Sequence, residues 1–215
     1  MISLAVFLGN PGAEYARNRH NAGCLLAEKI PFYGDLAWKK KFKGRFAAVP
    51  ACFGLQNGEA SGRYFLVPGT YMNLSGLSVA AAASYYSIPP AGIIAVHDEL
   101  ELPLGYLSLK FGGGLGGHNG LRSIKETLGT ADFWRLRIGI GRPPGRLPGE
   151  GGPPVKGVHN GGDGRIADWV LSNFNRDESV LAAAVFEEGA SLLERVLSEE
   201  PDTMLAEFKK KKITL

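Results

Sequence analysis

Five apolar residues in a row, Leu4-Ala5-Val6-Phe7-Leu8, run directly into Gly9-Asn10-Pro11-Gly12. An unbroken apolar run of this length, closed by turn residues, is the pattern of a buried strand. In an open α/β sheet, ligands bind beyond the carboxyl ends of such strands. Pro11 fixes one backbone angle and Gly12 permits a positive one, so the turn is stiff. It presents the amide of Asn10 at the sheet edge and is followed at once by Tyr15 and by Arg19-His20-Asn21. A stiff turn that carries Asn and His points to chemistry more than to mere connection.

The rest of the chain alternates between strand and helix patterns. Further strands are expected over residues 45–53, 64–67, 93–96, 107–111 and 135–140. Helices are expected over 22–30, with Asn21 as a cap, over the alanine-rich 75–86, which Pro89-Pro90 stops, over 121–128, and over 178–197. In the last of these Leu181, Val185, Ala190, Leu193 and Leu197 recur near helical spacing. This order predicts an α/β fold, a single-domain three-layer sandwich with a mixed, largely parallel twisted sheet flanked by helices. At 215 residues, one domain with one sizeable core is expected across 1–215. Residues 142–164 are rich in Gly and Pro and lack an aliphatic pattern, so they read as a surface-loop insertion.

Net charge is only +3, but its distribution is uneven. Lys39-Lys40-Lys41, Lys43 and Arg45 form one basic cluster and Lys209 to Lys212 another. Such runs are ordinarily solvated faces, although a polyanion would find local attraction there. The two cysteines, Cys24 and Cys52, show neither paired nor metal-like spacing, and Cys24 reads as a small buried hydrophobe in a reducing cytosol. The N-terminus has no basic leader and no apolar run reaches the length of a membrane span, so a cytoplasmic protein without a membrane segment is expected.

The chemistry-bearing residues fall in turns. His20 is the general-base candidate, because neutral imidazole accepts a proton near neutral pH. Asp98, after the apolar residues 93–96, stands where a carboxylate would orient that ring. Glu99 and Glu101 allow an acidic, metal-type reading, but no second His at ligand spacing accompanies them. There is no Gly-x-Ser-x-Gly elbow and neither cysteine has a basic neighbour, which leaves water as the nucleophile. Asn10, Asn73 and Asn119 stand on separate turns; each alone is more often a turn or cap residue, and together they offer neutral donors and acceptors. The glycines of 112–117 lack the Lys-Ser/Thr ending of a phosphate loop; Lys110 before them and Arg137 on the following strand would suit a phosphate, and Arg137 reads equally as a solvated strand residue facing outward.

Four segments, in order, carry a family resemblance: Gly9 to Asn21; Gly69-Thr70-Tyr71-Met72-Asn73-Leu74-Ser75-Gly76; His97-Asp98-Glu99-Leu100-Glu101-Leu102-Pro103-Leu104-Gly105; and Lys110 to Arg122 with its Gly-Gly-His118-Asn119-Gly core. Together they resemble the bacterial-type peptidyl-tRNA hydrolases, from about Leu4 to Arg142 and again near Trp169. The resemblance implies cleavage of the ester between a peptide and the terminal ribose of tRNA. It implies that His20 activates water with Asp98 supporting it, and that Asn10 discriminates a blocked amine from a free one. It implies that Asn73 and Asn119 contact substrate, that Tyr15 and Tyr71 lie near the tRNA end, and that Met72 shapes the peptide channel. Lys110 and Arg137 are implied as a clamp on a tRNA phosphate. A monomer without metal or other cofactor is implied, with peptidyl-tRNA as its partner. Two departures stand out, Phe7 where glycine is common and Asn18 where threonine is common. The rival readings are a catalytically silent RNA-binding partner of the same fold and a nucleotide-binding α/β enzyme.

Overall fold

The structure is a computed structural model that describes residues 1–50, 62–143 and 162–214. Its strands are β1 (Leu4–Phe7), β2 (Lys39–Lys41), β3 (Gly44–Ala48), β4 (Tyr64–Pro68), β5 (Ile93–Glu99), β6 (Tyr106–Phe111), β7 (Trp134–Gly139) and β8 (Lys211–Lys212). They form one mixed sheet in the order β2-β3-β4-β1-β5-β7-β6-β8. The four central strands, β4, β1, β5 and β7, run parallel. Antiparallel pairs extend the sheet at both edges. The helices are α1 (Ala22–Ala27), α2 (Ser75–Tyr85), α3 (Asn119–Leu128), α4 (Gly162–Val170) and α5 (Arg176–Ser198).

Strand alternation builds the expected three layers. Leu4, Val6 and Leu8 point to one face and pack with Val79 of α2 and Leu121 and Ile124 of α3. Ala5 and Phe7 point to the other and pack with Ala22 and Leu26 of α1 and with Val185 and Leu193 of α5. With both faces covered, the strand is apolar at every position, which is why its sequence shows no alternation. Phe7 fills its place fully buried, edge-on to Phe65 with ring centroids 5.1 Å apart. On this side α1 lies hard against the strands. A Cβ at Gly23 would come within 2.3 Å of the Val96 carbonyl oxygen and 2.8 Å of that of Leu8.

Several elements differ from their sequence expectation. β5 runs past its expected end at His97-Asp98 to Glu99, because β7 pairs with it through His97↔Arg137, Asp98↔Ile138 and Glu99↔Gly139. α1 ends at Ala27 rather than near 30. Both lysine runs form edge strands, β2 and β8, where charge suits an exposed edge. α4 opens at Gly162, inside the stretch expected to be loop. The remainder of that insertion from 144 on, the end of the expected 45–53 strand and Cys52 lie outside the described residues. Cys24 is half-buried rather than fully buried, packed against the core with its Sγ 3.7 Å from the Phe7 carbonyl oxygen, and desolvation pushes its thiol up to about 12. Among the described residues no helix is long and apolar enough to cross a membrane.

Candidate active site

The turn after β1, the turn after β4 and the end of β5 meet at the carboxyl edge of the parallel strands. There Asn10, His20, Tyr71, Met72, Asn73, Asp98 and Asn119 line one open cavity of about 840 Å³. His20 reaches it from a 3-10 turn, Arg19–Asn21, whose first free N–H groups are served by the side chain of Asn18: its Oδ1 accepts from Asn21 N at 3.1 Å. Asn18 therefore caps this turn. Asn21, expected as the cap of α1, makes no cap bond there. Its side chain instead clamps the backbone of Asn10, accepting from Asn10 N at 2.8 Å and donating to Asn10 O at 3.0 Å. The stiff turn is thus tied to the helix start, and Gly12 adopts the positive φ, 115°, that its sequence position invites.

Arg19 fixes the same turn from behind. It is buried, donates to Glu178 Oε2 at 2.6 Å and to Ser172 Oγ at 2.7 Å, and stacks on Trp169 with its guanidinium carbon 3.8 Å from the ring centroid. Glu178 belongs to the capping box of α5, so the long helix and the His20 turn share one ion pair.

Asp98 is the electrostatic centre. Its Oδ1 lies 2.9 Å from His20 Nδ1, and the same oxygen lies 2.9 Å from His118 Nε2. Burial alone would raise the Asp98 pKa, but the two imidazoles outweigh it and hold the carboxyl well below the usual carboxylate range. Burial disfavours imidazolium at His20, yet the charge and hydrogen bond of Asp98 prevail, so His20 titrates above its ordinary value. With a carboxylate on Nδ1, neutral His20 carries its proton there and turns a free Nε2 lone pair to the cavity.

His118 was not singled out by the sequence, where His20 stood as the one imidazole that mattered. Three imidazoles in fact cluster, with His20–His118 and His97–His118 ring centroids each 4.9 Å apart. His118 is the N-cap of α3: its Nδ1 accepts from Gly120 N at 3.1 Å. An accepting Nδ1 leaves the proton on Nε2, so His118 donates from Nε2 to Asp98. His97 is buried and donates from Nδ1 to the Asp98 carbonyl oxygen at 2.6 Å. Burial first, then His118, push its pKa well below the ordinary value, so it stays neutral.

The three asparagines differ in what they leave open. Asn10 Oδ1 accepts from Met72 N at 2.8 Å, which commits the oxygen and leaves the Nδ2 group as a free donor. Asn73 and Asn119 are exposed, the latter as the first residue of α3. Met72 is buried in the core beneath, and Tyr71 is 58% exposed at the cavity rim. Tyr15 is half-buried on its own short turn and is not among the residues lining the cavity. Ile166, Ala167 and Val170 of α4, with Leu171 just after it, close the cavity on another side. Sequence reading placed nothing there, because α4 follows a stretch without aliphatic pattern.

Lys110 and Arg137 share a face of the sheet but are not direct cross-strand partners. Register sets Lys110 opposite Arg135 and Ser108 opposite Arg137. Arg137 donates to Glu99 Oε2 at 2.9 Å and Ser108 Oγ at 3.3 Å. Arg135 is 1% exposed and donates to the Gly114 carbonyl at 2.7 Å. Burial, then the charges of Arg135 and Arg137, lower the Lys110 pKa from its ordinary value. The face is therefore a cationic cluster with Glu99 as its counter-charge. Glu99 and Glu101 are committed to Arg137 and Arg142, which removes the acidic metal reading built on them.

A different metal-type group does exist. His20, Asp98 and His118 offer ligand atoms all within 4.8 Å of one another, a juxtaposition across 98 residues that spacing alone cannot show. An ion there would displace both hydrogen bonds to Asp98 and would need the His118 Nε2 lone pair. The proton would move to Nδ1, and α3 would lose its cap. The donor set fits its own internal hydrogen bonding better than it fits a cation.

A family model described as Peptidyl-tRNA hydrolase matches residues 4–215. The peptidyl-tRNA hydrolase of Treponema pallidum is 55% identical over 143 residues, 66% of this chain and 69% of the relative. That of Nocardia farcinica is 42% identical over 198 residues, 91% and 90% of the two chains. A crystal structure of a peptidyl-tRNA hydrolase in complex with N-propanol is 34% identical, with a TM-score of 0.79 over 99% of this chain and 97% of that one. The Acinetobacter baumannii enzyme gives a TM-score of 0.77 at 33% identity, covering 98% and 96%. The fold, the carboxyl-edge cavity and these matches converge, and the chain belongs to the peptidyl-tRNA hydrolase family.

Proposed function

We propose that this chain carries out its family's reaction, hydrolysis of the ester in peptidyl-tRNA, by attack of a water molecule activated at His20 Nε2. The observation that carries the reading is the ordered array His20–Asp98–His118 with one ring nitrogen free and facing the cavity. Neutral His20 takes the proton of water as it adds to the ester carbonyl. The imidazolium so formed is stabilised by Asp98 and then returns a proton to the departing ribose hydroxyl. Water and one base suffice because an ester carbonyl is more electrophilic than an amide.

Asn10 supplies the discrimination. Its oxygen is already bound by Met72 N, so it presents only N–H groups. These suit the acyl oxygen of a blocked amine and are mismatched with the donor hydrogens of a free ammonium. Asn73 and Asn119 hold the substrate at the ester, Asn119 as a donor to the developing oxyanion. Tyr15 and Tyr71 serve the tRNA end, Met72 supports the floor of the peptide channel, and Lys110 with Arg137 attracts a tRNA phosphate. The protein works as a cytoplasmic monomer, without a metal. Release of labelled peptide from N-blocked aminoacyl-tRNA, in the presence of a chelator, tests the reading. Expected is turnover indifferent to the chelator. Activity lost to the chelator and regained with a divalent ion would place an ion among His20, Asp98 and His118 instead, and no turnover at all would favour the silent RNA-binding reading.

A further inference from the structure

A second cavity, of about 900 Å³, lies beyond Asn10. Its walls are the Gly9–Gly12 turn on one side and the β2–β3 hairpin on the other, with Gly69 and Thr70 between. Four cations line it, Lys40, Lys41, Lys43 and Arg45, against a single acid, Glu28. Among the described residues no carboxylate makes an ion pair with any of the four. Lys41 lies over the Tyr85 ring at 3.6 Å, and Arg45 lies over Trp38 at 5.2 Å and donates to Tyr33 OH. Lys40 and Lys43 are exposed.

The wall is built rather than loose. Phe42 and Lys43 both hold φ near 54°, a tight hairpin turn that side chains enter reluctantly. It is kept there because the Lys43 carbonyl accepts from Gly69 N at 2.8 Å and from Ser78 Oγ at 3.1 Å. The backbone that carries the charge at the tip is therefore held at a fixed place relative to β4 and α2.

Sheet order indicates what passes between. The reacting groups sit at β1 and β5. On one side, on β6 and β7, stand Lys110 and Arg137, the cations read as serving tRNA phosphate. On the opposite side, across β4, stands the β2–β3 hairpin. A substrate whose RNA leaves the ester towards β6 sends its peptide the other way, past Asn10 and into this groove. We infer that the groove takes the part of the nascent peptide preceding the ester-linked residue and favours acidic side chains there. The inference rests on the hydrolase reading and on Asn10 facing the acyl group, and it adds a charge preference for the peptide.

The test uses the full chain and three substrates on one tRNA: an N-acetyl-aminoacyl ester too short to enter the groove, and two peptidyl esters that differ only in carrying Asp or Lys before the last residue. Expected is a higher kcat/KM for the acidic peptide by about two- to fivefold per charged residue, the size of exposed ion pairs, shrinking as salt is added. In the Lys40→Glu, Lys43→Glu double variant the order should reverse, while the N-acetyl substrate is cleaved as before. Lys40→Gln with Lys43→Gln should abolish the preference and guards against a folding artefact of reversal. Equal rates for the two peptides in the unaltered chain would overturn the inference. So would a charge reversal that slows all three substrates alike, since that is the signature of tRNA in the groove. Failure to cleave even the N-acetyl substrate would sink the hydrolase reading instead. The groove would then be judged by titrating the free peptides: weaker binding of the acidic peptide after reversal supports it, and indifference overturns it.

Discussion

Two cavities share the wall at Asn10, and they are made of opposite material. In the catalytic one, the acids and the imidazoles at its centre have partners, and of the titratable lining only Arg122 and Tyr71 stand without a side-chain bond among the described residues. Asp98 has two imidazoles, Glu99 has Arg137, and the His118 ring is used at both nitrogens. In the other, cations stand without a carboxylate. The first grows from the carboxyl ends of parallel strands covered on both faces. The second grows from an antiparallel hairpin at the sheet edge. The difference teaches that proton transfer needs groups whose orientation and charge are settled before substrate arrives, and the covered sheet supplies that. Attraction of a charged, variable chain needs only uncompensated charge, and an edge hairpin suffices.

If that division is right, the largest effect belongs to the catalytic cavity. His20→Ala should lower single-turnover hydrolysis by about 10² to 10⁴ while circular dichroism stays unchanged. A folded variant with near-normal turnover would remove the base and the comparison with it.

Asp98→Asn comes next. Losing a charge-assisted hydrogen bond worth about 1.5–3 kcal/mol should cost about one to two orders of magnitude in rate. The pH profile sharpens this. Unprotonated His20 is the active form, so activity rises with pH through the His20 pKa. Asp98 holds that pKa above its ordinary value, so the acid limb of the native profile should fall above about 6.5. In Asp98→Asn burial still disfavours imidazolium and the opposing charge is gone, so the limb should move to lower pH. A limb that stays put would mean that Asp98 does not govern His20.

His118→Asn separates the two uses of His118. Asn caps helices well, so α3 should keep its stability, with melting within a few degrees of the native chain. The shorter side chain cannot span the 2.9 Å contact to Asp98, and the rate should fall by about tenfold, the size of one such bond. A large loss of melting temperature with an unchanged rate would make the residue a cap alone.

The smallest effect belongs to the cationic face of β6 and β7. Lys110→Ala should reduce the slope of log affinity for tRNA against log salt by about one, with the rate at saturation preserved. An unchanged slope would assign the phosphate to Arg135 and Arg137 without Lys110.

Much of this was legible in the chain itself. The apolar run before Asn10, the helices 75–86 and 178–197, and the pairing of His20 with Asp98 all follow from local pattern or from segment order. What escaped shares one physical character. His118 reaches Asp98, 20 residues away, from the cap of α3, a position where Ser, Thr, Asp or Asn is the expected signal. Asn21 serves the Asn10 backbone across a turn, and Arg19 serves residues 172–178 across the sequence. Strand β5 runs on to Glu99 only because β7 lies beside it. Each depends on a partner distant along the chain, and local pattern is silent about such partners. The Lys110 register is the same case: only the alignment of β6 and β7 sets it opposite Arg135.

The close seat of α1 on β1 and β5 has a consequence for anyone redesigning this chain. Helical glycines are routine targets for stabilisation, since exchange for alanine in a free helix gains about 0.5–1 kcal/mol. At Gly23 the sign inverts, because the added methyl would meet the carbonyl oxygens of Val96 and Leu8. To make room, α1 must lift off the sheet and carry with it the turn that holds His20, while Asp98, on β5, stays behind. A screen for melting temperature and a screen for activity would therefore both reject Gly23→Ala, and the activity screen would misfile a packing position as a residue of the reaction.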